Sequence, residues 1–391
     1  MLKAYSYRLY PTLPQAELLN KSFGSCRFVY NWALAKKIEI YQTQGKTISC
    51  FDLMKFLPAL KQEFEWLREI NSQSFQAEVS NLDTAFTSFF KKHGGFPKFK
   101  SKHKSRKSFG CPQHCKVDFE KGTLSIPKCK NIKAVFSRAF EGHIKTVTIS
   151  QSKSGRYFAS ILIDDGQEPP VKAPIQAATT VGVDVGIKHF ATLSTSEKID
   201  NPKHLEQAEA RLKVLQRRLS RKVKGSNNRH KARLRVARLH EHIANQRKDF
   251  HHKLSTRLIR ENQTVVVESL NVKGMVKNHC LAKAISDAGW AQFKEFLRYK
   301  CDWHGRNLVE IGRFEPSSKM CSCGVVNKEL KLSHRDWVCH SCGTMHDRDV
   351  LASQNIKRFG LVDKFSEGHL AVSLGSSPLV SGCVEPRIPC L

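Results

Sequence analysis

Long hydrophobic runs are missing from this sequence. It contains no stretch of about 18 consecutive apolar residues, and no apolar segment follows basic residues in its first part. The first absence excludes a membrane-spanning helix and the second excludes a secretory signal peptide, so we expect no membrane partner. The expected location is the cytoplasm, which in a bacterium gives access to the nucleoid.

Acidic side chains are also scarce. The 391 residues include 35 Asp and Glu against 65 Lys and Arg, which gives a net charge of +30 and an isoelectric point near 9.8. A charge of this size does not determine a fold, but it favours polyanionic partners, with nucleic acid first and a membrane surface second. The length exceeds one ordinary core and predicts roughly two to four domains.

The first half of the chain changes its pattern twice. Residues 1–10 predict a β-strand, and the apolar spacing within 12–92 predicts helices that pack on each other. Short alternating runs between about 115 and 172 then predict a β-rich barrel or sandwich that includes the N-terminal strand.

A basic segment lies between these regions. From Lys91 to Lys107 there are eight Lys and Arg and no acid, interleaved with Phe96, Phe99 and Phe109. Cations that neutralise phosphates and rings that stack on bases favour a nucleic-acid contact over a solvated loop. The residues expected to make this contact are Lys98, Lys100, Lys102, Lys104, Arg106 and Lys107.

A second basic segment lies within residues 203–260. The pattern of this range predicts two helices with a break at 225–228. Between 211 and 260 there are 17 Lys and Arg but only two acids. A solvated helix face ordinarily mixes charge signs, so this segment indicates a bound phosphate backbone and carries no information on base sequence. The expected contacts are Arg217, Arg218, Arg221 and Lys222.

One carboxylate stands inside an apolar strand. Residues 180–193 predict a β-hairpin, and Asp184 lies between two valines of its first strand. A buried unpaired carboxylate loses its hydration, and a divalent cation with oxygen ligands compensates this loss. The alternative is a strand-end aspartate that faces water.

Two further acids extend this pattern. Glu268 ends the apolar run 264–267, and Asp349 precedes another helix. Three acids from two strands and a helix start are the ligands that phosphodiester hydrolysis by two Mg²⁺ ions requires. Taken singly, Glu268 also fits a surface strand end and Asp349 a helix N-cap. Together, Asp184, Glu268 and Asp349 predict a catalytic magnesium site.

The cysteines favour a second metal. A reducing compartment makes the 13 cysteines free thiols or metal ligands rather than disulfides. Two pairs, each followed by Gly, predict a structural zinc ribbon formed by Cys321, Cys323, Cys339 and Cys342. Because one residue alone separates the first pair, four reduced thiols are the alternative, and His340 or His346 is a candidate to replace a badly placed sulfur.

The order of these motifs resembles TnpB, a family of transposon-encoded RNA-guided endonucleases related to the ancestors of type V CRISPR effectors. The segments that carry the resemblance are Gly182-Val183-Asp184-Val185-Gly186, Val267-Glu268-Ser269-Leu270, the cysteine segment from Ser317 to Gly343, and His346-Asp347-Arg348-Asp349. Further similar segments at 74–86 and 95–101 extend the resemblance from near residue 1 to about residue 360.

The resemblance implies an α+β multidomain fold. Its expected parts are a wedge-like β-barrel (1–11 and 93–175), a helical recognition domain (12–92), a RuvC-like nuclease domain of RNase H fold (178–316 and 346–362) and a zinc-ribbon insertion (317–345). Residues 363–391, rich in Ser, Gly and Pro, are predicted to be a disordered tail.

The function that the resemblance implies is RNA-guided cleavage of double-stranded DNA by a protein of an insertion sequence. Its partners would be a guide RNA from the transposon end and a DNA target beside a short flanking motif, with Mg²⁺ and Zn²⁺ as cofactors. The family's third acid stands two residues before the position of Leu351, which favours Asp349 over its neighbour Asp347.

Two departures from the family pattern keep other functions open. One residue separates Cys321 from Cys323 where the family usually has two, and Leu351-Ala352-Ser353 replaces Asn-Ala-Ala. They favour, as alternatives, an RNA-guided DNA-binding protein with lost or impaired cleavage. A DNA transposase uses similar acids, and a plain zinc-ribbon RNA-binding protein would leave the acids unexplained.

Overall fold

The computed structural model describes residues 1–331 and 334–366. The chain divides into two compact units, which are described one at a time. The first unit consists of Met1–Glu168 and Ala208–Ala244, and the second of Pro169–Gln207 and the described residues from Asn245 onward.

The first unit is built around an antiparallel sheet. Its strands are β1 (Leu2–Tyr10), β2 (Lys107–Cys111), β3 (Lys116–Asp118), β4 (Thr123–Ile126), β5 (Cys129–Val135), β6 (His143–Gln151) and β7 (Tyr157–Asp164). They are ordered β2-β6-β7-β1-β5-β4-β3, so the predicted N-terminal strand lies at the centre of the sheet. Strands β2 and β3 form its two edges, and closure into a barrel stays a prediction.

Helices pack on this sheet. They are α1 (Leu13–Gln44), α2 (Cys50–Lys55), α3 (Leu57–Glu63) and α4 (Ser72–Phe90). The predicted apolar stripes are buried, with Phe23 of α1 and Val79 of α4 in one hydrophobic core with Ile149 and Ile161 of the sheet. The helical segment 12–92 therefore shares its core with the strands, because each element buries one apolar face against the other.

The basic helices follow the predicted pattern. They are α5 (His204–Ser220) and α6 (Asn227–Glu261), separated near the expected break. Leu212, Leu239 and Ile243 form part of their buried face. Residues 208–244 belong to the first unit, although the sequence placed them within the nuclease segment 178–316. A helix of 35 residues, such as α6, is about 50 Å long.

The second unit contains a mixed sheet. Its strands are β8 (Thr180–Val185), β9 (His189–Leu193), β10 (Lys198–Asp200), β11 (Thr264–Glu268) and β12 (Asn307–Ile311), ordered β10-β9-β8-β11-β12. The first three in this order pair antiparallel, whereas β8, β11 and β12 run parallel. The remaining elements are α7 (Val272–Met275), α8 (Ala282–Ala288), α9 (Trp290–Trp303), β13 (Asp336–Val338), β14 (Met345–Asp347) and α10 (Arg348–Ser366).

Both faces of this sheet are covered, which explains the nearly continuous apolar runs of β8 and β11. On one face Val183 and Val265 join a core with Leu258 and Phe293. On the other face Val266 packs in a cluster with Ile356 of α10 and with residues of β12.

Two glycines let α10 lie directly on the sheet. A Cβ at Gly182 of β8 would stand 2.1 Å from the carbonyl oxygen of Ser353, and a Cβ at Gly360 would stand 2.4 Å from Val266. Such distances are far below van der Waals contact, so both positions require glycine. The position of α10 relative to β8 is therefore fixed by backbone packing.

The predicted disordered tail begins too early. Helix α10 continues to Ser366, so residues 363–366 are helical, and residues 367–391 lie outside the described part of the chain. Within the described ranges, none of the helices combines the length and apolar character needed to cross a bilayer.

Candidate functional site

Strand register brings the first two predicted acids together. Thr264 pairs with Thr180 and Val267 with Val183 in the parallel ladder between β11 and β8. The next residues, Glu268 and Asp184, therefore stand side by side at the carboxyl ends of adjacent strands. Paired residues in parallel strands point to the same face, here the face that α10 covers.

The third acid comes from the first turn of α10. Asp349 is largely buried, with 17% of its side chain exposed, and its carboxylate acts electrostatically on Asp184. Burial raises the pKa of Asp184 well above its usual value, and the negative charges of Glu268 and Asp349 raise it further. Arg348 and Arg335 oppose this shift. Strand register and these electrostatic effects place the three predicted acids near one another, and we call them the acid cluster. Among the described residues, the four cysteines are the set whose ligand atoms converge closely enough to hold one ion, so the convergence of the three acids on metal ions stays a prediction.

The acid cluster has the chemistry of a divalent cation site. Neighbouring carboxylates concentrate negative charge, and a hard cation with oxygen ligands supplies compensating positive charge. Two arginines provide part of this positive charge. Arg335 Nη1 lies 3.2 Å from Asp349 Oδ2, and Arg348 Nη2 lies 3.0 Å from Asp349 Oδ1. The sequence motif contains Arg348 but gave it no role, and sequence reasoning missed Arg335.

Asp347 has a different role from its neighbour. Its Oδ1 accepts hydrogen bonds of 3.0 Å from the backbone N–H groups of both Asp349 and Val350, and its Oδ2 pairs with Lys198. Asp347 is therefore the N-cap of α10, a role that the sequence had offered to Asp349. Burial alone would raise the pKa of Asp347, but Lys198 and the two N–H groups bring it below its usual value.

Glu268 receives a hydrogen bond from a buried serine. Ser317 Oγ donates to Glu268 Oε1 over 2.6 Å. Asn355 of α10, which is also buried, donates from Nδ2 to the carbonyl oxygens of Ser317 (2.7 Å) and Met320 (2.6 Å). Sequence reasoning quoted Ser317 within a motif but gave it no role, and it missed Asn355. A polar residue on an apolar helix face was the available signal.

The four predicted zinc ligands converge. Their sulfur atoms all lie within 4.8 Å of one another, with Cys321 Sγ 3.5 Å from Cys342 Sγ and Cys323 Sγ 3.7 Å from Cys339 Sγ. A tetrahedral zinc ion with Zn–S bonds of about 2.3 Å requires sulfur separations of about 3.8 Å. The residues present therefore fit a structural zinc ion.

The short first pair does not prevent this arrangement. Gly324 adopts φ 90°, and its N–H donates to the carbonyl oxygen of Cys321 over 2.9 Å, which turns the chain back within the reduced spacing. In the second pair Gly343 likewise has a positive φ, and its N–H donates to the carbonyl oxygen of Cys339. Both turns need the left-handed conformation that glycine adopts without strain.

Two other side chains complete the cysteine group. His346 is buried, and its Nε2 lies 3.0 Å from Cys321 Sγ, whereas His340 is exposed. A hydrogen bond with Thr344, whose Oγ1 is 3.2 Å from Cys342 Sγ, lowers the pKa of Cys342 to about 6. A lowered thiol pKa favours the thiolate that a metal requires.

The second departure from the family pattern is accommodated by packing. Leu351 is buried in a small core with Cys321, Trp337 and Cys339, and so joins α10 to the cysteine segment. Ser353 is fully buried, and its hydroxyl donates to the carbonyl oxygen of Val350 over 2.7 Å. Both side chains are therefore buried, and the hydroxyl of Ser353 has a hydrogen-bond partner.

The first basic segment is only partly as predicted. Lys98, Lys102, Lys104 and Arg106 are exposed, as phosphate contacts require. Lys100 differs, because its Nζ pairs with the buried carboxylate of Glu78 at 2.7 Å and lies 3.7 Å from the ring centre of Tyr30. Lys100 therefore anchors the segment to α1 and α4 and is engaged by protein rather than presented to phosphate.

Two more residues of this segment point inward. Lys107 Nζ is half-buried and donates to Gln151 Oε1 over 2.8 Å, and burial lowers its pKa. Phe109, a predicted stacking residue, is 3% exposed and packs edge-on against Phe23. The period of strand β2 turns Phe109 into the core. Phe96 and Phe99 remain exposed.

The second basic segment presents its predicted cations. Arg217, Arg218, Arg221 and Lys222 are all exposed, at the end of α5 and in the turn that follows it. Arg229 supports this turn by donating to the carbonyl oxygens of Leu219 (3.0 Å) and Lys222 (2.8 Å). The backbone of the turn is thus fixed while its cationic side chains face solvent.

Three family models match parts of the chain. "Probable transposase" matches residues 161–279, "Cas12f1-like, TNB domain" matches 290–356, and "Helix-turn-helix domain" matches 1–46. The second range contains all four clustered cysteines. Within 1–46 the structure has one strand and the single helix α1.

Two relatives are similar over nearly the whole chain. A Streptomyces pristinaespiralis protein named "Putative RNA-guided DNA endonuclease" is 45% identical, over 92% of this chain and 89% of its own length. The Escherichia coli protein named "Putative RNA-guided DNA endonuclease InsQ" is 32% identical over 92% of both chains. A solved Cas12f1–sgRNA–target DNA complex is similar in fold, with a TM-score of 0.56 at 12% identity over 91% of this chain and 98% of that chain.

The fold and the two residue clusters define a class of proteins in which an acid-bearing mixed sheet carries an inserted cysteine segment. The two relatives match nearly the whole chain at 45% and 32% sequence identity, which is enough to assign a family within this class. The chain belongs to the TnpB family, as the order of its sequence motifs predicted.

Proposed function

We propose that this protein is an RNA-guided double-stranded DNA endonuclease of an insertion sequence. The observation that carries the proposal is the acid cluster, in which Asp184, Glu268 and Asp349 come from two adjacent strands and a helix start. Burial and mutual repulsion raise the pKa of Asp184 there. The names of the two relatives, each an RNA-guided DNA endonuclease in its printed name, support the same function.

The architecture agrees with the expected nuclease domain. Three antiparallel strands continued by two parallel strands, with α10 on one face, support a RuvC-like arrangement of RNase H type. In this assignment residues 178–207, 245–316 and 346–362 form the nuclease domain, 317–345 its zinc insertion, and 12–92 the recognition helices. The sheet of the first unit would be the wedge-like barrel formed by 1–11 and 93–175.

The acids would hold Mg²⁺. Bound Mg²⁺ supplies an activated water and stabilises the leaving 3′ oxygen during phosphodiester hydrolysis. Asp184, on which the charges of Glu268 and Asp349 both act, would hold Mg²⁺ together with these two acids. Arg335 and Arg348 hold the Asp349 carboxylate in place by ion pairs and limit the excess negative charge.

The cysteine group would hold one structural zinc ion. Cys321, Cys323, Cys339 and Cys342 provide the four ligands, and the near-tetrahedral sulfur separations support this assignment. The buried His346 lies beside Cys321 and is suited to stabilise that thiolate.

The nucleic-acid partners would be a guide RNA from the transposon end and a DNA target beside a short flanking motif. Cas12f1, whose fold is similar, was solved with an sgRNA and target DNA. Exposed Lys98, Lys102, Lys104 and Arg106, together with Arg217, Arg218, Arg221 and Lys222, are suited to bind phosphates while base pairing supplies the sequence.

A cleavage assay with three variants tests this function. The chain is expressed with its transposon-end RNA and incubated with a plasmid carrying a matched target, with and without Mg²⁺. Asp184→Ala and Asp349→Asn are expected to abolish cleavage and retain target binding. Asp347→Asn is the matched control and should cleave, because Asn caps a helix as well as Asp does.

Each other outcome identifies a different function. Target binding by the wild-type protein without cleavage would favour the RNA-guided binding protein that no longer cuts. Integration products would favour the transposase. RNA binding without any guided DNA recognition would contradict the proposal and leave the zinc-ribbon RNA-binding protein.

A further inference from the structure

The hydrogen bond between Ser317 and Glu268 joins the cysteine segment to the acid cluster. Ser317 is 7% exposed, so its hydroxyl is shielded from water, and it donates to Glu268 Oε1 over 2.6 Å. Hydrogen bonds to a charged acceptor are shorter and stronger than those between neutral groups. This bond takes one of the two carboxylate oxygens and fixes the rotation of the group about its last side-chain bond.

Ser317 is itself rigidly held. The backbone N–H groups of Lys319 and Met320 donate to the carbonyl oxygen of Pro316 over 3.1 and 3.0 Å, which closes a tight turn around Ser317. The N–H of Ser317 donates to the carbonyl oxygen of Glu315 over 2.8 Å. A donor in a turn of this kind keeps a constant direction toward its acceptor.

Asn355 connects this turn to α10. Its Nδ2 donates to the carbonyl oxygens of both Ser317 and Met320, and the residue is 3% exposed. Met320 immediately precedes Cys321, and Asp349 lies in the first turn of the same helix as Asn355. One amide group therefore ties together the helix that carries Asp349, the turn that orients Glu268 and the start of the cysteine group.

We propose that Ser317 is a positioning residue for Glu268, and that Asn355 fixes Ser317 so that Glu268 and Asp349 keep one geometry for binding divalent cations. The proposal rests on the proposed function, in which these acids hold Mg²⁺. Partners of metal-binding carboxylates typically change metal affinity or activity by about 10- to 100-fold when they are removed.

The test compares Ser317→Ala with Ser318→Ala in the zinc-loaded full chain. Mn²⁺ serves as the probe, and its binding is followed by electron paramagnetic resonance without nucleic acid. Ser317→Ala is expected to weaken Mn²⁺ binding by about 10- to 100-fold. Ser318→Ala removes a hydroxyl at the next position, for which the described residues show no hydrogen bond to Glu268, and should bind Mn²⁺ as the wild-type protein does. Asn355→Asp, which removes the amide donor, should resemble Ser317→Ala.

Kinetics provide the second readout. In the guided cleavage assay Ser317→Ala should lower kcat and raise the Mg²⁺ concentration for half-maximal rate, with target affinity unchanged. Ser317→Thr keeps a hydroxyl and should recover much of the rate. A purely structural role would instead lower the melting temperature and leave the Mg²⁺ dependence as it was.

The outcomes separate the two proposals. If the wild-type protein does not cleave, the proposed function fails, and the Mn²⁺ comparison still tests Ser317. If the wild-type protein cleaves and Ser317→Ala binds Mn²⁺ equally well, the positioning role is overturned. If Ser317→Ala does not fold, Ser317→Cys has nearly the same volume but a much weaker donor. Unchanged Mn²⁺ binding in that variant overturns the proposal as well.

Discussion

Asp184 shows at the scale of one residue how a functional group destabilises its own site. Its carboxylate is crowded by protein atoms and lies near Glu268 and Asp349, so its pKa is raised well above the usual value. At a pH above that raised pKa the folded protein must keep Asp184 ionised in an unfavourable environment. A metal ion would offset this cost, and a neutral side chain would remove it.

The first prediction concerns stability without Mg²⁺. In zinc-loaded protein, Asp184→Asn should raise the free energy of unfolding by about 0.5–2 kcal/mol at a pH above the raised pKa of Asp184. The gain should shrink as the pH falls below that raised pKa, because the folded carboxyl then becomes neutral, and it should vanish only below the ordinary aspartate pKa, where the unfolded chain is neutral as well. Melting temperatures across a pH series measure this. Asp249→Asn, at an exposed position, is the control, and a gain independent of pH would contradict the explanation.

At the scale of elements, the acid cluster depends on how closely α10 approaches β8. Strand pairing alone places Asp184 beside Glu268, but Asp349 reaches them only because Gly182 leaves room for the backbone of Ser353. The same face carries Val266, on which Gly360 packs. Two glycines on opposing elements thus decide where the third carboxylate stands.

The second prediction alters this contact. Gly182→Ala should lower the free energy of unfolding by about 3 kcal/mol or more, because its Cβ would overlap a backbone oxygen that cannot move independently. Cleavage should fall more than target binding does, since α10 carries Asp349. Gly24→Ala in α1, where the added Cβ would meet no atom within 4 Å beyond its chain neighbours and the backbone of its own helix, should instead stabilise by about 0.5–1 kcal/mol. Denaturant unfolding measures both, and similar effects of the two changes would contradict this view.

The third prediction concerns the cysteine group as an element. The purified protein should contain one zinc ion per chain, measured by native mass spectrometry. Cys323→Ser should lose it, because a hydroxyl is a poor zinc ligand. His346→Gln should keep the zinc but bind it about 10- to 100-fold more weakly, because His346 Nε2 lies 3.0 Å from Cys321 Sγ and would stabilise that ligand without replacing it. Full zinc content in Cys323→Ser would show that the sulfur of Cys323 is not required.

The whole molecule is dominated by its positive charge. Of the 65 Lys and Arg, 17 lie between residues 211 and 260, where only Glu241 and Asp249 oppose them. Charge of one sign repels itself and destabilises a compact chain, and a bound polyanion would offset this cost. The contrast between the engaged Lys100 and the exposed Lys102 shows that these cations do not all serve that purpose.

The fourth prediction uses the salt dependence of guide-RNA binding. Replacing four exposed cations of one segment by Ala should make the negative slope of log binding constant against log salt concentration shallower by about 3. Each phosphate that is no longer neutralised reduces the magnitude of the slope by about 0.7–0.9. The four residues are Arg217, Arg218, Arg221 and Lys222. A double variant of Lys36 and Lys121, which pair with Glu39 and Asp118 on the surface, is the control and should keep the slope. An unchanged slope in the fourfold variant would remove this segment from the interface.

Sequence alone determined the family, the strands β8 and β11, the long basic helices and the identity of the four clustered cysteines. These features are local, since they depend on residue type, spacing and order along the chain. The spacing of apolar residues predicts a strand or a helix without knowledge of what packs against it. The order of motifs along the chain, which identifies the family, is likewise independent of packing.

Only the tertiary structure decided the remaining roles. Asp347 caps α10 while Asp349 pairs with Arg335 and Arg348 near Asp184, Lys100 binds Glu78, and Phe109 lies in the core. Each role depends on which group approaches from a distant part of the chain. Two neighbouring residues of the same type look alike in the sequence, so the sequence does not show which of them has which role. The link from Asn355 through Ser317 to Glu268 spans three separate segments, so only their packing brings these groups within hydrogen-bonding distance.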